Sequence, residues 1–243
     1  MLRAKDLIDE YLREGRLSAN RSQPIGAGSY GVVYQSDVPG NVIKQSTQYG
    51  QDLEKEANLQ AIAAELGIAP QVRGLETFRG GVGDRIEMQD IRDNYTVGTS
   101  PTPQQSIQQA QQIGELALRG VRLEDRRDAN IAYNKTTGRP MQLDFGIAGE
   151  MDRAQSAAYL SQATAEGMEA AGLGDFGSIL RATVMDYLEG GDVDEAMDLA
   201  KQGFSRLQKI KAPLTKKTMN SEDYQMEQML QMMAAQAKER GLV

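Results

Sequence analysis

The run Ile25-Gly26-Ala27-Gly28-Ser29-Tyr30-Gly31-Val32-Val33 limits the architecture of this chain more than any other stretch. It fits G-x-G-x-x-G-x-V, a pattern that serves more than one fold. In a dinucleotide-binding fold the glycines follow a strand and open a helix. Here they lead into Val32-Val33-Tyr34, which is strand material, then into the turn sequence Pro39-Gly40-Asn41 and a second β-branched run, Val42-Ile43. A glycine loop joining two strands can face phosphates with its backbone N–H groups; the plain alternative is an ordinary glycine-rich hairpin.

The rest of the chain changes period. Residues 51–66 have helical spacing, with Leu53, Ala57, Leu59, Ala61, Ile62 and Leu66 on the apolar face and Gly67 and Pro70 as the stop. Residues 71–91 suggest two more strands around Gly80-Gly81-Val82-Gly83-Asp84, and the Thr-, Ser- and Pro-rich stretch 96–103 suggests a hinge or linker. From Gln104 onward the pattern is mostly helical, interrupted by a short hairpin over 130–145. The predicted organisation is a leading helix in 1–20 (Leu7, Ile8, Tyr11, Leu12), a β-rich part over 21–93 and a helical part over 94–243. A last amphipathic helix, 221–240, carries the stripe Met226, Met229, Leu230, Met233 and Ala237. Such a stripe either packs on the helical part or offers an adaptable surface to a protein partner. The Gln-rich stretch 104–112 suggests a solvated face.

Composition removes whole classes of chemistry. The chain has no Cys, no His and no Trp. No disulfide, thiolate nucleophile, imidazole base or His- or Cys-ligated metal is available, so any metal sits on oxygen ligands, as Mg, Mn or Ca do, and a carboxylate is the expected general base. Lys and Arg total 27 against 34 Asp and Glu, a formal charge of -7. That balance argues against binding nucleic-acid backbone or an anionic membrane surface. The N-terminus lacks an apolar secretory core and no run is long enough to span a bilayer, which predicts an intracellular protein.

Within that frame four segments carry chemistry. Lys44 ends the strand Val42-Ile43-Lys44, where a buried ammonium requires a partner; Glu56 on the following helix fits better than Glu54 because it begins the apolar face. Asp125 and Asn130 have the spacing D-x-x-x-x-N. Asp144-Phe145-Gly146 ends an apolar strand, and a hairpin turning at Thr137-Gly138-Arg139 returns Asp144 close to Asn130. A carboxylate beside an amide oxygen suits Mg²⁺, which keeps waters and shares substrate phosphates.

In that order these segments resemble the protein-kinase superfamily over about residues 23–148, and its compact, divergent bacterial and phage members more than a full eukaryotic kinase. The resemblance implies an α+β, two-lobed, protein-kinase-like fold, with a small β-rich N-lobe and a helical C-lobe carrying a shortened activation segment. It implies ATP and Mg²⁺ (or Mn²⁺). Gly26, Gly28 and Gly31 would cover the phosphates, Lys44 would hold them while paired with Glu56, and Ile25 and Val33 would sandwich the adenine. Met88, Asp90 and Ile91 would lie at the hinge, where backbone groups meet the adenine edge. Asp125 would orient the acceptor hydroxyl and take its proton, Arg127 would stabilise the transferring group, and Asn130 and Asp144 would bind the metal.

The departures matter too. Leu123-Glu124 stands where the family usually has His-Arg, no A-P-E follows Gly146, and 154–171 looks helical instead. A second Asp-Phe-Gly, at Asp175, suggests a loop and helix N-cap. The implied activity is a Ser/Thr protein kinase of the cytoplasm, in a host cell or virion if phage-encoded. The rivals are a kinase-fold binding or scaffold protein without catalysis, such as a virion pseudokinase, and a small-molecule kinase.

Overall fold

The computed structural model describes residues 19–28, 31–47, 51–78 and 83–213, with Gln228 and Met232. The leading helix expected within 1–20, the loop residues Ser29 and Tyr30, part of the turn at 80–84, and all but two residues of the Met-rich helix lie outside the described residues. The architecture is α+β. Two compact units divide the chain: residues up to 99 together with 123–149, and 100–122 together with the residues from 150 onward.

The first unit is built on a five-stranded antiparallel sheet of order β1-β2-β3-β5-β4. Its strands are β1 (Ala19–Gly28), β2 (Gly31–Ser36), β3 (Asn41–Ser46), β4 (Val72–Glu76) and β5 (Arg85–Gln89). Pro24 lies in β1, an edge strand whose register shifts on either side of it, a position where the missing N–H costs the ladder nothing. Helix α1 (Leu53–Glu65) enters between β3 and β4, and the Asp52 side chain caps it by accepting from Lys55 N–H at 2.8 Å. It ends in a Schellman turn: Gly67, at φ +67°, donates to Ala64 and Ile68 donates to Ala63. Leu53 and Ala57 of this helix pack with Val42, Leu75, Ile86 and Met88 of the sheet.

The same unit contains β6 (Tyr95–Val97), a 3₁₀ turn at Asp128–Asn130, β8 (Ile131–Asn134) and β9 (Pro140–Gln142), which form a second antiparallel sheet of order β6-β8-β9. The β8–β9 hairpin is the one expected from sequence, with Gly138 at φ +70° in its turn. The expected linker at 96–103 is partly wrong. Thr96 and Val97 pair with Tyr133 and Ala132, because three residues suffice to extend an existing edge even in a Thr- and Ser-rich stretch. Gln142 N–H donates to the Ile68 carbonyl at 2.7 Å, joining this sheet to the loop that ends α1.

The second unit holds α2 (Pro103–Leu118), β7 (Val121–Arg122), α3 (Arg153–Ala170), α4 (Gly174–Glu189) and α5 (Val193–Lys209); β10 (Gly149–Glu150) falls at the division. Thr102–Gln105 and Asp152–Gln155 form capping boxes at the starts of α2 and α3. The helices approach where glycines leave room. A Cβ at Gly114 would lie 2.0 Å from the Phe204 ring, and one at Gly167 would lie 2.7 Å from both Ala110 and Leu207. The expectation of a solvated Gln face is corrected at two positions. Gln112 is buried, and Gln111 donates to the carbonyls of Leu207 and Ile210 at 2.8 and 3.0 Å, closing the end of α5. Asp175 is not an N-cap: Leu173 holds that position and Asp175 lies exposed in the first turn of α4. Among the described residues no helix is long and apolar enough to cross a membrane.

Candidate active site

Every residue expected to carry chemistry lies in the first unit. Lys44 is on β3, on the sheet face that meets α1, and Glu56 is on the first turns of that helix. The Lys44 ammonium donates to Glu56 Oε1 at 2.5 Å and to Asp144 Oδ1 at 3.0 Å. Glu56 is almost wholly buried, with 1% of its side chain exposed, and Lys44 keeps 11%. Burial alone would lower the Lys44 pKa, but the charges of Glu56 and Asp144 outweigh it and hold the ammonium above its usual value. Burial also lifts the Glu56 carboxyl above the usual carboxylate range, against the pull of Lys44. Glu54 has no part in the pair; it is exposed.

Gly26, Gly28 and Gly31 lie toward the end of the β1–β2 hairpin, in which Gly28 is paired with Gly31. Gly31 backs directly onto β3. A Cβ there would lie 2.7 Å from the Gln45 carbonyl oxygen and 3.5 Å from Lys44 Cε, so a side chain at this position would push the hairpin off the lysine strand. Gly26 pairs with Val33, Val33 is partly buried against the sheet core, and Ile25 is exposed. An exposed apolar side chain ahead of the glycines is compatible with a ligand face.

Asp144 is placed by two neighbours. Its Oδ1 accepts from Gly146 N–H at 3.0 Å, and the preceding residue, Leu143, donates its N–H to the Asn130 carbonyl at 2.9 Å. That bond brings the Asp144 and Asn130 backbones side by side, as the hairpin spacing required. Asn130 donates its side-chain amide to the Asp125 carbonyl at 3.2 Å, so its amide oxygen is the atom that could take a metal. The donor set is one carboxylate and one amide oxygen, both hard ligands. Among the described residues no group of three or more His, Cys, Asp or Glu side chains is placed to hold a metal ion. Hard oxygen ligands of this kind would suit Mg²⁺, which takes few protein ligands and completes its shell with waters and phosphate oxygens.

Asp125 and Arg127 form a two-pronged pair. Arg127 Nε donates to Asp125 Oδ1 at 2.6 Å and Nη2 to Oδ2 at 2.5 Å. The guanidinium holds the Asp125 carboxyl below the usual carboxylate range, so the carboxylate is ionised through the neutral range. In this structure Arg127 thus orients Asp125.

The expected hinge is only partly available. Met88 points into the sheet core and Ile91 packs with Ala132 and Met141. The N–H groups of Gln89 and Asp90 donate to the carbonyls of Gln71 and Gly40, at 2.9 and 2.8 Å, and the Asp90 carboxylate is paired with Arg92 at 2.6 Å. A ligand meeting this segment must use its other main-chain groups. Sequence reasoning missed Gln51, which donates to Glu56 Oε2, and Ser46, which donates to Gln51. Gln51 falls in the loop before the Asp52 cap, where no periodicity marks it.

No family model and no curated protein sequence matches the chain. Among solved structures it is similar to a double mutant of the Mycobacterium tuberculosis PknI kinase domain. The likeness covers 79% of this chain and 96% of that one, with a TM-score of 0.47 and 14% identity. A likeness at that TM-score and identity says nothing of what this chain does.

Proposed function

We propose that this protein is an ATP- and Mg²⁺-dependent phosphotransferase whose acceptor is a Ser or Thr hydroxyl of a protein. The observation that carries the reading is the buried Lys44 ammonium. It is held between Glu56 and Asp144, directly under the glycine hairpin, and a hydrogen-bonded loop adds Asp125, Arg127 and Asn130. A lone buried lysine is costly; one held by two carboxylates beside a phosphate-covering loop is charged and aimed.

Each side chain then has one task. Gly26, Gly28 and Gly31 cover the phosphates of the nucleotide and the Lys44 ammonium binds them, with Ile25 and Val33 against the base. Asp144 and the Asn130 amide oxygen would hold the metal, which neutralises phosphate charge when bound. Asp125 orients the acceptor hydroxyl and takes its proton as the oxygen bonds to the γ-phosphorus and the bond to the ADP oxygen breaks. Arg127 steadies Asp125 and places positive charge beside the transferring group. Its position two after Asp125, where protein Ser/Thr kinases usually carry Lys, supports the protein acceptor.

One observation favours a second reading, a kinase-fold binding protein without turnover. Both carboxylates that chemistry would use are already ion-paired, Asp144 with Lys44 and Asp125 with Arg127. Phosphate transfer from γ-labelled ATP, to the protein itself and to a generic Ser/Thr-rich substrate, separates the two. The phosphotransferase reading expects Mg²⁺-dependent incorporation that Asp144→Ala and Lys44→Met abolish. Nucleotide binding without incorporation would leave the binding-protein reading standing.

A further inference from the structure

Glu56 is held on both oxygens, and only one of those contacts belongs to Lys44. Oε1 meets the ammonium at 2.5 Å, and Oε2 accepts from Gln51 Nε2 at 3.3 Å. Gln51 is itself aimed: its Oε1 accepts from Ser46 Oγ at 3.0 Å. Ser46 is fixed at the end of β3, donating its N–H to the Asp84 carbonyl at 2.8 Å and accepting from Gly83 N–H at 3.1 Å. A relay thus runs from the strand end through Ser46 and Gln51 to the helix carboxylate, and back through Lys44 to the same strand. Gly146 borders the same pocket. A Cβ there would come within 3.6 Å of Glu56 Oε2 and 3.7 Å of Gln51 Nε2.

The physical need for the second contact follows from torsional freedom. The terminal torsion of a glutamate is broad, so a carboxylate gripped by one oxygen can swing and share its charge with other donors. A donor on the other oxygen removes that rotation. Gln51 directly precedes the Asp52 cap, so it also ties the start of α1 to the end of β3, the strand that carries Lys44.

We infer that Gln51 is a positioning residue of this site: aimed by Ser46, it grips one oxygen of Glu56 so that the other stays on Lys44. Its consequence for nucleotide binding rests on the phosphotransferase reading, whereas its effect on the Lys44–Glu56 pair does not.

The test measures the acylation rate of each lysine by a water-soluble N-hydroxysuccinimide ester on the ligand-free full chain, resolved by mass spectrometry. Gln51→Met keeps the length and removes the amide. It is expected to raise the Lys44 rate about tenfold, the size of a lost hydrogen bond to a charged group, with the other lysines unchanged. Ser46→Ala is expected to raise it less. Glu56→Gln is expected to raise it most, and Gln51→Met added to Glu56→Gln to raise it no further, because Gln51 acts only through Glu56. An unchanged Lys44 rate in Gln51→Met overturns the inference. So does an equal rise at every lysine, which means lost folding, or an equal further rise in the Glu56→Gln background. Mg–ATP binding is measured on the same proteins. A wild type that binds no Mg–ATP removes the phosphotransferase reading, while the lysine rates still decide the role of Gln51.

Discussion

Lys44→Met keeps the stem of the side chain and removes only its charge, yet it is not a silent test of chemistry. Glu56, with 1% of its side chain exposed, loses the cation at 2.5 Å, and Asp144, with 29% exposed, loses a weaker contact. Removing one member of a buried pair costs about 3–5 kcal/mol, a large share of the ~5–15 kcal/mol that stabilises a typical domain. The loss depends on pH with a definite sign. Burial already raises the Glu56 carboxyl, and without Lys44 it rises further. The folded state then holds a proton that the unfolded state has released, from about pH 4.3 upward. That stabilising proton is fully present below this window and is lost as pH rises through the folded value, at no more than ~1.4 kcal/mol per pH unit. The deficit of Lys44→Met against wild type therefore grows as pH rises above the ordinary carboxylate range. Urea unfolding at several pH values measures it, and Lys44→Met/Glu56→Gln, which neutralises both partners, should recover most of the stability and none of the nucleotide binding. A Lys44→Met protein as stable as wild type at pH 8, or a double variant no better than the single, would refute the reasoning.

Other outcomes follow from single contacts. Gly31→Ala should destabilise the β2–β3 pairing by about 1–3 kcal/mol, since its Cβ would lie 2.7 Å from a backbone oxygen; an unchanged melting midpoint would mean the hairpin does not back onto β3. Asp175→Ala should leave phosphate transfer intact and cost at most ~1 kcal/mol as a lost helix-terminal charge, whereas Asp144→Ala should abolish transfer; the reverse would move the site to the second D-F-G. The hydrogen bond from Arg92 holds the Asp90 carboxyl below its usual value, so its stabilising effect is present above about pH 3.9 and is lost as pH falls through the depressed value. In Arg92→Ala, where only the backbone N–H of residue 92 still donates to it, the Asp90 carboxyl resonance should titrate at a higher pH than in wild type, and an unmoved midpoint would contradict the pairing.

The parts of this structure legible in the sequence are those set by period and turn chemistry. Alternating β-branched runs around Pro39-Gly40-Asn41 gave β2 and β3, and the apolar face that begins near Glu56 gave both α1 and the partner of Lys44. The β8–β9 hairpin followed from its turn at Gly138. What escaped has no periodic signature. β6 is too short to alternate, and its existence depends on β8 offering an edge. Gln111 and Gln112 look solvated because polarity says nothing of the helix end that Gln111 closes. Arg127 was legible as a cation near the chemistry, but its two-pronged grip on Asp125 depends on how the backbone turns at Asp128–Asn130. Met88 lies in the hinge segment by position, yet strand alternation sends its side chain into the core.

On the proposed function, Lys44, Asp144 and the glycine hairpin form one Mg–nucleotide site. Thermal unfolding with millimolar ATP, with and without Mg²⁺, tests it most directly, because a ligand that binds only the folded state raises the midpoint by mass action. A single Mg–nucleotide site gives a rise that requires Mg²⁺ and disappears in Asp144→Ala. No rise in wild type, or a rise that survives both Asp144→Ala and removal of Mg²⁺, would contradict it.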